Sequence, residues 1–111
     1  MNDWIRICNL GDIPPLGARV VPREGQAAIA VFRAADDRIF AITDRCPHRG
    51  GPLSQGIVFG HRVACPLHNL HIELESGRAV APDTGCVERF PVKIANGVIY
   101  LALHAHAHVD G

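Results

Sequence analysis

Two short stretches, "CPHRGG" at residues 46–51 and "CPLH" at residues 65–68, each place a cysteine and a histidine in one tight loop. Cys46 and His48 are two positions apart, Cys65 and His68 are three apart, and Cys65 follows Cys46 by 19 positions. A proline, Pro47 or Pro66, comes directly after each cysteine, stiffening the backbone and removing an amide that would need a partner. Thiolate sulfur and neutral imidazole nitrogen are the ligand types favoured by zinc, copper and iron, and two of each make four ligands. Such loops have to face one another if they share a ligand.

The rest of the chain reads as scaffold for them. Apolar residues recur with the short period of strands in "WIRIC", "ARVVP", "AAIAVF" and "RIFAIT", separated by the turn-like "REGQ" and "RAADD". In "WIRIC" the alternation sets Ile5 and Ile7 on one face and Trp4, Arg6 and Cys8 on the other. "GIVFGHRVAC" reads as a hairpin turning near Gly60, "HIELE" as a strand ending at a Ser76–Gly77 turn, and "GPLSQG" as one helical turn at most. Asn96 and Gly97 stand between two apolar runs and tolerate the positive backbone angles of a two-residue type I′ hairpin. The fold expected is all-β, an antiparallel sandwich or small barrel of about nine short strands.

A chain of 111 residues suits one domain, taken here as 1–111, with a core over about 4–103. The tail 104–111 carries His104, His106 and His108 but too little apolar content to pack, so a frayed end is expected there. Eleven basic residues balance eleven acidic ones, which argues against a nucleic-acid or anionic-membrane partner. The first residues lack a basic start followed by an apolar run, and the longest apolar stretches span only six residues; a cytoplasmic protein is expected. In that compartment thiols stay reduced, so the four cysteines do not read as two disulfides. They fall into two classes instead, Cys46 and Cys65 beside histidines, Cys8 and Cys86 without them.

A structural zinc finger pairs its cysteines in one knuckle and its histidines on a helix. Here each loop supplies one of each, with 16 residues between His48 and Cys65 and no helix beneath the histidines. That mixed pairing suits two metal atoms side by side, as in a Rieske [2Fe–2S] cluster, where two cysteines hold one iron and two histidines the other. Backbone amides of "HRGG" and "LHNL" can donate to the sulfurs, Gly50 and Gly51 permit close approach, and Pro52, Leu53 and Leu67 are placed to shield the site. The pattern resembles the Rieske signature, and the strand order, the two loops and the final hairpin resemble a Rieske domain.

The resemblance implies a Rieske 2Fe-2S cofactor, with Cys46 and Cys65 on the inner iron and His48 and His68 on the outer, and electron transfer with no catalysis by this chain alone. Arg49, Gly50 and Gly51 in the first loop and Leu67 in the second leave no extra cysteine pair, which resembles the ferredoxin type of the family. Position 70, commonly aromatic in the family, is Leu70. "GPLSQGIVFGHRVACPLHN" and "PDTGCVERFPVKIANGVIYLAL" look most like the small subunit of bacterial NAD(P)H-dependent assimilatory nitrite reductase, which implies a large partner subunit carrying flavin and sirohaem. The alternative is a Rieske ferredoxin serving an aromatic-ring dioxygenase, with oxygenase and reductase partners. A third reading, from another class, is a zinc-bound or metal-free structural interaction module. His61, at a turn, and His71, starting a strand, read as surface or interface residues, and Arg45 and Arg49 as solvated arginines.

Overall fold

The computed structural model describes residues 4–47, 51–66, 70–81 and 84–103. The strands in chain order are β1 (Trp4–Asn9), β2 (Ala18–Arg23), β3 (Gln26–Arg33), β4 (Ile39–Thr43), β5 (Ile57–Phe59), β6 (Arg62–Ala64), β7 (His71–Glu73), β8 (Arg89–Phe90), β9 (Val92–Ala95) and β10 (Val98–Ala102). Two single 3₁₀ turns, Leu10–Asp12 and Leu53–Gln55, are the helical segments among the described residues, the second within "GPLSQG" as expected. All strand pairings are antiparallel, in three sheets ordered β1-β10-β9, β2-β3-β4-β8 and β5-β6-β7.

The middle sheet is apolar on both faces. Ala30, Phe32, Phe40 and Ile42 pack towards the β5-β6-β7 sheet, meeting Val58, Val63 and Ile72. The intervening Ile29, Val31, Ile39 and Ala41 pack with Ile99 and Leu101 of β10 and with Cys8. That two-sided burial explains why "AAIAVF" is a continuous apolar run, since a strand covered on both faces has no polar side to show. The β5-β6-β7 sheet is one-sided: Val58, Val63 and Ile72 are buried while Ile57, Phe59 and Arg62 face out.

The turns fall where the sequence puts them. Asn96 and Gly97 have φ of 53° and 75° and join β9 to β10, with Ala95 opposite Val98. Gly60 has φ of 56° in the β5–β6 hairpin, where Phe59 faces Arg62, and Gly77 has φ of 75° after Ser76. The first strand departs from strict alternation. A bulge at Ile7 shifts the register so that Cys8 lies opposite Ile99 and is buried, while Ile5, opposite Leu101, stays exposed.

Two ionic contacts span the middle and β5-β6-β7 sheets on the surface. The imidazole Nε2 of His61 meets Oδ2 of Asp36 at 2.9 Å, and Nη1 of Arg38 meets Oε2 of Glu75 at 2.9 Å. The side-chain hydrogen bond from His61 holds the Asp36 carboxyl below its usual range, with desolvation opposing the shift. Because folding lowers this pKa, the stabilisation is complete above the unfolded carboxyl value of about 3.9 and is lost as pH falls through the folded value. Urea denaturation of wild type and Asp36→Ala is therefore expected to show a stability gap near neutral pH that closes below about pH 4. A gap that persists unchanged into strong acid would remove this contact as its source.

No disulfide joins the four cysteines. Cys8 is buried, and that burial pushes its thiol pKa up, with Arg19 opposing the shift. Cys86, in contrast, is exposed. In the native protein a thiol alkylating reagent is expected to label Cys86 first and Cys8 only on unfolding, as read by peptide mass spectrometry. Equal labelling rates at both would contradict the packing assigned to Cys8.

Candidate metal centre

The two ligand-type cysteines stand at equivalent places. Cys46 follows β4 after a two-residue bend, Cys65 follows β6 directly, and both are almost fully buried, at 1% and 2% exposure. Each opens a loop closed by its own amide: the Cys46 N–H donates to the Gly51 carbonyl at 2.8 Å, and the Cys65 N–H donates to the Leu70 carbonyl at 2.7 Å. Both closures span five residues, so two loops of the same size leave the same apolar core. The proline after each cysteine can occupy its place because no amide at that position is needed for closure.

Cys46 and Cys65 belong to one core, together with Leu53, Val58, Val63, Leu70 and Val87. Leu53 and Leu70 are buried, so the position where the family commonly has an aromatic ring is filled by a packed aliphatic side chain. Of the other residues expected to shield the site, Pro52 is exposed, and Leu67 lies outside the described residues. His48 and His68, with Arg49, Gly50 and the tail histidines, also lie outside them. Gly51 is described and buried, and its carbonyl is the acceptor that closes the first loop.

The loop bases rest on contacts that no local pattern announces. Asp44, two residues before Cys46, donates its amide to the Ala28 carbonyl at 2.8 Å, which fixes it to the end of β3. Its carboxylate accepts from the Ser54 amide at 2.6 Å and from the Ser54 hydroxyl at 2.8 Å. It thus caps the 3₁₀ turn from ten residues away, where Pro52 at the N-cap makes no side-chain cap. Gly56, which closes that turn with an N–H to the Leu53 carbonyl, lies so close to β6 that a Cβ there would overlap the carbonyl oxygen of Ala64. Ala64 is the residue before Cys65. Only the "SQG" triplet hints at this close approach in the sequence, and nothing local couples Asp44 to Ser54.

Beside the first loop runs an open groove of about 230 Å³ lined by Thr43, Arg45, Pro47, Cys86, Val87 and Glu88. Two other histidines have partners of their own: His61 is in the β5–β6 turn on Asp36, and His71 begins β7 with its ring edge-on to Phe59 at 5.1 Å. Among the described residues no group of three or more His, Cys, Asp or Glu side chains is arranged to hold a metal ion. Two buried thiols on equal loops, each with a histidine in the loop it opens, nevertheless form a donor set that suits two soft metal atoms better than one closed tetrahedral site.

Known proteins resemble this chain over most of its length. Ferredoxin CarAc of Metapseudomonas resinovorans is 33% identical over 100 residues, which cover 89% of this chain and 92% of that protein. A chain in the complex of reduced oxygenase and oxidized ferredoxin in carbazole 1,9a-dioxygenase superposes with a TM-score of 0.86 at 29% identity, covering 96% of this chain and 99% of that one. A structure described as the small subunit of a nitrite reductase NADPH oxidoreductase has a TM-score of 0.78 at 26% identity, covering 89% and 97%. A family model for the Rieske-like [2Fe-2S] domain matches residues 3–102. The chain therefore belongs to the Rieske-like [2Fe-2S] domain family, as an all-β electron-transfer domain whose cofactor is a Rieske-type iron-sulfur cluster.

Proposed function

We propose that this chain is a single-domain Rieske ferredoxin that delivers single electrons to a terminal oxygenase, with Cys46 and Cys65 holding one iron and His48 and His68 the other. The observation that carries this reading is the 33% identity to ferredoxin CarAc over 89% of this chain and 92% of that protein, beside the 34% identity to a dioxygenase ferredoxin subunit over 87% and 91%. The cluster, when bound, supplies reversible one-electron exchange. The chain's part is to hold it. Buried cysteines anchor the inner side, Pro47 and Pro66 stiffen the loops, and Leu53 and Leu70 keep water from the sulfurs. His48 and His68 lie in sequence between the residues that close each loop and are the residues through which electrons leave towards a partner.

A second reading, the small subunit of NAD(P)H nitrite reductase with a flavin and sirohaem large subunit, is favoured by the structural likeness to such a small subunit and by the run "PDTGCV". The described part of that run has a structural role in this chain. Gly85 accepts from the Ala79 amide, Cys86 bridges Arg78, and Val87 is buried after donating its amide to Gly77. A segment that fastens the β5-β6-β7 sheet says less about the partner than the identity to dioxygenase ferredoxins does, so the ferredoxin reading takes precedence.

Protein purified without oxygen is expected to contain iron and acid-labile sulfide and, once reduced, to give a Rieske electron spin resonance signal. Cys46→Ser and Cys65→Ser are each expected to lose that signal. A colourless wild type would sink the ligand assignment. Reduced protein is expected to support turnover by a Rieske dioxygenase terminal oxygenase. Copurification with a large flavin and sirohaem protein, together with loss of NAD(P)H-dependent nitrite reduction when this chain is deleted, would replace the ferredoxin reading with the second one.

A further inference from the structure

The bases of the two cysteine-opened loops are joined by one continuous set of contacts. It begins on β3, where the Ala28 carbonyl holds the Asp44 amide. It crosses to Ser54 through the two hydrogen bonds accepted by the Asp44 carboxylate, at 2.6 and 2.8 Å. It continues through the 3₁₀ turn, where the Gly56 N–H donates to the Leu53 carbonyl at 2.9 Å, and ends where Gly56 lies against the Ala64 carbonyl, one residue before Cys65. Asp44 precedes Cys46 by two residues, so the path runs from one buried cysteine to the other.

We propose that Asp44 is a positioning residue which, through Ser54 and Gly56, sets the spacing of the Cys46 loop from the Cys65 loop. Hydrogen bonds to an ionised acceptor are the strong ones, and a pair of them from one residue fixes direction as well as distance. Loss of the pair leaves the Leu53–Gln55 turn without a cap and lets Gly56 drift from Ala64. The inference rests on the assignment of Cys46 and Cys65 as ligands only for its consequence on the iron. The coupling between the loops belongs to the polypeptide itself.

The test follows that division. In the holoprotein, amide hydrogen exchange, which reads the polypeptide rather than the iron, is expected to speed by about tenfold in Asp44→Ala at Ser54 and Gly56, and also at Cys65. Acceleration confined to the first loop, with the Cys65 amide unchanged, would overturn the proposal whether or not the ligand assignment holds. In holoprotein, iron release to a chelator is expected to be about tenfold faster in Asp44→Ala, with a broadened spin resonance spectrum. Asp44→Asn keeps an acceptor for the Ser54 amide and a donor for its hydroxyl, so it is expected to restore release to within about threefold of wild type. Equal rates in the Ala and Asn variants would count against positioning. Ser54→Ala, which retains the amide bond and is the milder change, is expected to fall between wild type and Asp44→Ala. Asp12, whose carboxylate accepts from the Asn9 amide at 3.0 Å far from both loops, provides the comparison. Asp12→Ala is expected to leave iron release at the wild-type rate, and an equal acceleration there would reduce the effect of Asp44 to general loosening.

Discussion

Two amide-to-carbonyl hydrogen bonds, Cys46 to Gly51 and Cys65 to Leu70, define the site on which the rest of the structure depends. A thiolate that binds metal has to be held still and kept dry, and both demands are met when the cysteine is the buried first residue of a closed loop. Each loop therefore needs a rigid strand before it and apolar cover around it. The first follows β4 of the doubly buried middle sheet, the second follows β6 of the outer sheet, and the apolar core between those sheets encloses both cysteines. The three-layer arrangement has a plain consequence for stability. The two cysteines and the core are the same packing problem, so a change that opens the space around Leu53 or Val63 also moves Cys46 and Cys65.

Much of this was legible because it is local. The Asn96–Gly97 hairpin, the Gly60 turn, the single turn in "GPLSQG" and the Cys-His loops all follow from residue types that tolerate particular backbone angles or carry particular donor atoms. What was not legible depends on distant partners. Cys8 reads as a small packed residue and is one, but the bulge at Ile7 that sets it opposite Ile99 has no signature in the six residues of "WIRICN". The two-residue β8, Arg89–Phe90, is a strand only because Ala41 and Ile42 pair with it. Asp44 reads as an ordinary turn residue until Ser54 folds back on it. Leu70 looked like a missing aromatic ring, whereas the packing around it shows that a leucine fills the position.

The composition adds a constraint on recognition. With acidic and basic residues in balance, no long-range field selects a partner, so encounter depends on the immediate surface around the loops. That surface is not the ligand set. A chain of an oxygenase–ferredoxin complex and a nitrite reductase small subunit share this fold, as a fold generally permits several roles. Discrimination must come from side chains that border the loops without binding metal. Arg45, exposed beside Cys46, and the groove where Pro47 meets Cys86 and Glu88 supply a cation, an anion and a small apolar floor within one patch. Such a mixed patch complements a partner of equally mixed charge rather than a strongly acidic or basic one, which matches a protein whose own charge sums to zero.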